Sequence, residues 1–550
     1  MKNFKIIKEK VFFFLTAVLL ITYKLFWGAI AASWREDEAT VIWIADNITA
    51  LNTHVGLISS VGLPNPNLLI LFSKIFTIFD SLVFVSIFIA FLNIFLIYFA
   101  LINKENDYKN ILLFLLIGFS TYVSQHTIEP WGQSVLITIN ALFLYFLFRF
   151  AIYKQFYLFP LFPVIAMAPS GIYLAGLTNS VVYVIFFTIF TLLNIKNIKS
   201  FFTNKYINFI SITSLFLIIR FTWIPFFNKV SLNEISKVGN SSYDILLIFI
   251  ERYKNTVRSL FGFWVDERSY YFPTMNVNII SDSTNDIYQL FLKFHWFLQR
   301  YALINILLIF FLLIFFQKML DMNYIKKVFI LIFYLFLFTS ISPAIGGREF
   351  LKYQRMDNYI ETYFIYLYIW FFLGYCYKNF KLSKLLHFIN SFVIIVFVMF
   401  NVYFSYNILF DNYQNKSTVL SESDVPMLYK QQITEYIADD WSKTGDSNKI
   451  PIFYDLGGGI YDWVNEFGTK YSPYYPSNPY TIGRGFDYIL KKKYNLSNSQ
   501  EGKQFRNIEK SKYIISYIFS PENTGIYSEY ENLYFGKLRL TINNNFDLNN

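Results

Sequence analysis

The chain has 550 residues, with 47 Lys and Arg against 37 Asp and Glu and a net charge of +10. Only 15% of residues are charged and 55% are apolar, and the mean hydropathy is +0.39. These values exclude a disordered chain, a collagen-like chain and an ordinary soluble enzyme, where about a quarter of residues are charged; an integral membrane protein remains. The single cysteine, Cys376, excludes an intrachain disulfide and a cysteine-based metal site.

In chain order, the apolar runs predict about eleven membrane spans. They cover residues 11–32, 82–102, 111–128, 133–150, 157–175, 178–195, 206–227, 301–317, 328–345, 358–377 and 386–408. Residues 155–195 carry no charge, and 41 residues are too many for one crossing. Pro169, Gly171 and Gly176 mark the turn between two spans there. Ala29-Ile30-Ala31 is a passable signal cleavage site, but the apolar stretch before it is longer than a usual signal core, so the first span reads as an anchor.

Orientation follows from the basic loops. Lys2, Lys5, Lys8 and Lys10 precede the first span. Lys104 and Lys109, then Arg149 and Lys154, then Lys196, Lys199 and Lys205 follow alternate spans. Lys318, Lys326 and Lys327, then Lys378, Lys381 and Lys384 continue the pattern. These loops are expected in the cytoplasm of a cell whose inner membrane holds the chain. The positive balance is then topological and implies no nucleic acid partner. The chain divides into a multi-span region, 1–408, and a tail, 409–550, of ordinary soluble composition. Loops 33–81 and 228–300 and the tail are expected outside, in the periplasm or its equivalent. Residues 450–454, 512–519 and 534–542 read as strands, so the tail is expected to be a small α/β domain. Gly457-Gly458-Gly459 lacks phosphate-loop spacing and reads as a turn.

Four clusters bear charge at the expected outer face. Trp34-Arg35-Glu36-Asp37-Glu38 follows the first span directly. Acids favour a helix start, and residues 39–51 are expected to form a helix lying on the membrane. Two readings stand: a solvated helix start, or a partly desolvated general base for a hydroxyl acceptor. His54 and the Pro64-Asn65-Pro66-Asn67 turn precede a short apolar stretch, 68–79, which reads as a re-entrant or interfacial helix with His54 structural. Glu129, in the tight Glu129-Pro130-Trp131 loop, is either a turn residue or a functional acid. Residues 346–357 carry Arg348, Lys352 and Arg355 against the positive-inside pattern. These cations either pair with Glu349 and Asp357 or hold an anionic lipid headgroup. Arg220 near the end of the seventh span and Lys24 in the first are further cations.

Together these features resemble the GT-C glycosyltransferases, most closely the branch of the protein O-mannosyltransferases and lipid A aminoarabinose transferases. Asp37-Glu38 matches the acidic pair after the first span, Pro64–Leu69 the Pro-containing segment, Glu129-Pro130 the second acidic loop and Gly347-Arg348 the late arginine. Asn65 splits the usual Pro-Pro pair, and Glu349 stands where the family has Tyr. The resemblance implies an α-helical polytopic membrane enzyme with a small C-terminal extracytoplasmic domain. It would transfer a sugar from a polyprenyl-phosphate-linked donor to a lipid, glycan or protein acceptor among the membrane lipids. Asp37 would be the base, Glu38 a supporting or binding acid and Glu129 a contact to acceptor or donor, and Arg348, with Lys352, Arg355 or Arg220, would hold the phosphate. The resemblance makes no cofactor certain and leaves a divalent metal open, since some members of the family need one and some do not; Glu36, Asp37 and Glu38 could help bind an ion but cannot all face it from a helix. An O-antigen-type polymerase or ligase would rely on outer-loop arginines without the early acids. A lipid-linked-sugar transporter or flippase would carry its charges in mid-membrane.

Overall fold

The computed structural model describes residues 36–48, 56–57, 63–78, 132–231, 322–346, 427–444, 447–455, 483–499, 511–517, 530–536 and 538–546, with isolated positions elsewhere. The expected spans 82–102, 111–128, 301–317 and 358–377, and most of 11–32 and 386–408, lie outside these residues, as does Gly457–Gly459.

Helix α1 (Glu36–Asn47) is followed by the short α2 (Leu68–Ser73) and a 3-10 turn, Lys74–Ile78. The helical body continues with α3 (Gly132–Ala151), α4 (Leu161–Ile172), α5 (Leu177–Leu193), α6 (Lys205–Lys229) and α7 (Met322–Gly346). Among the described residues, α6 is the one helix long and apolar enough to cross a membrane, or one of two if α5 and the stretch bent 77° from it count as a span. Helix α4, in the region expected as span 157–175, has 12 residues. At 1.5 Å per residue it is about 18 Å long, short of a hydrocarbon core of roughly 30 Å. Pro169 lies inside its last turn rather than in the connection. The break comes at Tyr173, whose backbone is extended.

Large aromatic rings fill the body where α3, α5 and α7 meet. Phe143 stacks on Tyr183 at 3.7 Å between centroids, and Tyr334 lies 6.0 Å from Phe143. Polar groups join the same helices: the Asn179 amide donates to Asn140 Oδ1 at 2.8 Å, and the Tyr183 hydroxyl donates to the same oxygen. Such bonds substitute for hydrophobic drive where the surroundings are apolar. At one end, Arg149 and Lys327 both lie 5.3 Å from the Tyr153 ring, and Lys154 donates to Asn194 Oδ1 at 3.3 Å. Three of the basic loops therefore gather at one end of the body.

The tail folds as α8 (Met427–Thr444), β1 (Lys449–Ile450), β2 (Ile452–Asp455), α9 (Arg484–Tyr494), β3 (Ser497–Asn498), β4 (Tyr513–Tyr517), β5 (Glu531–Phe535) and β6 (Leu538–Ile542). The main sheet has the order β2-β4-β6-β5, with β2 parallel to β4 and the other neighbours antiparallel. Strands β1 and β3 pair in parallel beside it. Asn498 of β3 bridges the two ladders, accepting from the Ile452 N–H at 3.2 Å and donating to its carbonyl at 3.0 Å. Alternate strand residues Ile452, Tyr454, Tyr513, Ile515, Leu538 and Leu540 form one face. Ile433, Ile437 and Trp441 of α8 and Phe486 and Leu490 of α9 pack on that face. The stretch 534–542, expected as one strand, is the turn and second arm of a hairpin, because Gly536 takes a φ of +60° between β5 and β6.

An ion pair closes this domain. Asp440 of α8 accepts from the Tyr513 hydroxyl at 2.6 Å and lies 3.2 Å from Lys512 Nζ. Burial raises the Asp440 carboxyl pKa, but the bonds from Tyr513 and Lys512 outweigh it and hold the group below the usual carboxylate range. Burial and the Asp440 charge push the Tyr513 hydroxyl upward. A depressed folded value contributes stability that is present above the unfolded value, about 3.9, and lost as pH falls through the folded one. Asp440→Asn is therefore expected to cost about 1–2 kcal/mol at pH 7, and less at pH 3. Hydrogen exchange of the β4 amides at both pH values checks this; an equal cost at both would remove the charge from the account.

Candidate functional site

Helix α1 carries the acidic turn and is packed on two sides. One stripe, Val41, Ile44, Ala45 and Ile48, has helical spacing. It meets Leu57, Leu69 and Ile70 around the Pro/Asn segment, Val135 of α3 and Ile172 of α4. The opposite stripe meets α9 of the tail domain. Arg484 Nη1 donates to Thr40 Oγ1 at 3.0 Å, the Trp43 and Tyr488 rings lie 6.2 Å apart, and Lys492 pairs with Asp46 at 2.7 Å. Lys491 lies 4.5 Å from the Trp43 ring and 3.5 Å from Asn47 Oδ1. Contacts at 40, 43 and 46 advance in step with 484, 488 and 492, so the two helices run side by side in the same direction. A helix expected to lie on the membrane is thus covered by protein on both faces. A stripe facing α9 was not visible in the sequence because its residues are polar or aromatic.

The far end of α1 is held by a cation. Lys74 donates to the carbonyls of Asp46 and Ile48, both at 3.2 Å, which suits the negative end of the helix dipole. The near end is the acidic turn. Its backbone at Glu36 and Asp37 is helical, and Glu38 is 2% exposed. Burying a carboxylate is expensive unless charge or hydrogen bonds compensate it.

The Pro/Asn segment ties α1 to the rest of the body. Residues 63–67 are all buried. Asn65 exchanges backbone bonds with Gly56 and Leu57 at 2.6 and 2.7 Å. Its side chain donates to the Leu57 carbonyl and accepts from the Leu174 N–H, both at 2.9 Å. The residue that splits the expected Pro-Pro pair therefore fastens the loop to the break between α4 and α5. Leu63 packs with Trp223 and Phe226 at the end of α6, next to a π-turn over Ile219–Trp223. Such turns are frequent at functional sites. Arg220 lies in this turn, half-buried, with its guanidinium 5.9 Å from the Phe221 ring.

Of the acids and cations singled out at the expected outer face, Glu36, Asp37, Glu38 and Arg220 fall on described backbone. Residues 41–48 of α1 and the end of α6 beside the Arg220 turn pack on residues of, or next to, the same Pro/Asn loop. His54, Glu129, Arg348, Lys352 and Arg355 lie outside the described residues, so their arrangement around α1 is not defined. Among the described residues no group of three or more His, Cys, Asp or Glu is placed to hold a metal.

Sequence reasoning missed α9. Arg484 is 3% exposed and Asp487 7%, and the Tyr454 hydroxyl donates to Asp487 Oδ1 at 2.6 Å. Gly483 precedes them, and a Cβ there would meet the Tyr454 ring at 2.5 Å, so only glycine lets the helix start this close. The one available signal was Lys491-Lys492-Lys493 closing a helix that begins with Arg484 and Asp487. No family model, curated protein or solved structure matches the chain.

Proposed function

We propose that the chain is a membrane glycosyltransferase that takes its sugar from a polyprenyl-phosphate carrier. The observation that carries this reading is the acidic turn Glu36–Glu38, which opens a helix packed between the helical body and the tail domain, with Glu38 buried. The helix is enclosed on both faces from Thr40 onward, and a role only in solvating its start gives no reason for Glu38 to be buried. The contact of α9 with α1 also supports one compartment for the acids and the tail domain.

In this reading Asp37 takes the proton of an acceptor hydroxyl. The acceptor oxygen bonds to the anomeric carbon as the bond from that carbon to the phosphate oxygen breaks. Polyprenyl phosphate leaves with the electron pair, and Arg348, Lys352, Arg355 and Arg220 hold its charge. Glu38 and Glu129 bind or orient the reacting hydroxyls. A desolvated setting strengthens each of these electrostatic terms.

Mass spectrometry of the envelope glycans, lipids and glycoproteins of cells with and without the chain tests the reading. One acceptor class is expected to lose the mass of one sugar residue when the chain is absent. An unchanged set of products would overturn it.

A further inference from the structure

The geometry points to Arg484 of the tail domain as a positioning residue for the acidic turn of α1, an inference that rests on the glycosyltransferase reading above. Arg484 comes from a separate soluble-type domain, 444 residues away from its partner in sequence. It is nevertheless 3% exposed, and its guanidinium bonds Thr40 Oγ1 at 3.0 Å. A buried guanidinium is costly unless negative charge stands near it. On an α-helix, positions three and four apart are neighbours. Positions 36 and 37 are therefore the helical neighbours of position 40, and both are acids. On α9 the corresponding neighbour is Asp487, 7% exposed.

Among the described residues, helix α8, packed on α9, brings buried Lys430, 5.7 Å from the Phe486 ring, and Glu435 and Asp439, whose charges act on Lys493. Helix α1 brings Glu36, Asp37, Glu38 and Asp46. Helix α9 brings Arg484, Asp487, Lys491, Lys492 and Lys493. The 3-10 turn after α2 brings Lys74. Lys492 engages Asp46, Lys491 faces Trp43 and Asn47, and Lys74 caps the far end of α1. Lys493 lies 5.1 Å from the Tyr494 ring, on its own helix. Arg484 is thus the cation that the docked helix brings to the acidic end. It bonds the first turn of α1 through Thr40, and its charge is expected to favour the ionised form of a carboxylate on that turn. The tail domain then completes the catalytic unit.

The test is transfer from a radiolabelled polyprenyl-phosphate sugar by the purified full-length chain, measured across pH, for wild type, Asp37→Asn, Arg484→Met, Arg484→Lys and Lys492→Ala. Arg484→Met keeps the bulk of the side chain and removes the charge. It is expected to lower kcat at least tenfold with little change in donor KM, and to move the acid limb of the profile to higher pH. Arg484→Lys is expected to restore the limb and part of kcat. Lys492→Ala breaks the contact at the other end of α1 and is expected to leave the limb in place. If Arg484→Met keeps the wild-type limb and kcat while Asp37→Asn is inactive, Arg484 has no positioning role and the functional reading survives. The same conclusion follows if both Arg484 variants fall equally at every pH, since a fold defect has no pH signature. If wild type transfers no sugar, or Asp37→Asn matches it, the functional reading fails and this inference fails with it.

Discussion

Asp37→Asn is expected to abolish sugar transfer while the protein stays folded and inserted. The substitution is nearly isosteric, so the packing of α1 against α4 and α9 should hardly change. It removes the charge that a general base needs, and such a base contributes roughly 10²–10⁴ in rate, or about 3–5 kcal/mol of barrier. Arg348→Ala should behave differently. The donor phosphate is present in both ground and transition states, so the loss should appear partly as weaker apparent donor affinity. Glu129→Gln should fall between the two. The measurement is single-turnover transfer by each purified variant. If Asp37→Asn keeps more than about a tenth of wild-type turnover, Asp37 is not the base. Glu38, buried one position along the same turn, is then the next candidate.

The parts of this arrangement that the sequence revealed are those governed by local rules. Acids after an apolar run announced the start of α1, and the Pro/Asn turn announced a short helix at Leu68–Ser73. The apolar run over 206–227 lies within α6. What stayed hidden depends on partners distant in the chain. Thr40 and Trp43 carry no signal of their own, and their role emerges only when Arg484 and Tyr488 are set against them. Pro169 misled for a related reason. Proline ends a helix by removing one donor and crowding the previous turn, yet here α4 continues to Ile172 and the chain turns only at Tyr173. Close contact decides the place of that turn, since a Cβ on Gly176 would lie 2.4 Å from the Pro169 carbonyl oxygen. The hairpin over 531–542 was missed because an alternating apolar pattern runs through the turn, and Gly536 alone marks it.

That glycine is the site of the largest stability loss expected in the tail domain. Gly536 has a φ of +60°, and an added Cβ would lie 2.0 to 2.5 Å from ring atoms of Tyr429 on α8. The left-handed backbone costs a residue with a Cβ roughly 1–2 kcal/mol, and overpacking adds about 1–3 kcal/mol. Gly536→Ala is therefore expected to destabilise the domain by about 2–5 kcal/mol. The two contributions separate in a double-mutant cycle. In a Tyr429→Ala background the clash disappears, and the same substitution should cost only the backbone part, about 1–2 kcal/mol. Hydrogen exchange of the Leu538–Ile542 amides in the full-length chain gives each value. An equal cost in both backgrounds would show that the ring yields freely and that strain in the turn alone sets the effect. The consequence reaches the acidic helix, because Tyr429 lies on α8, α8 packs on α9, and α9 carries Arg484 to α1. Loosening the hairpin should therefore raise exchange in α9 and lower transfer together. If α9 exchange rises while transfer is untouched, the tail domain is not needed at the acidic turn.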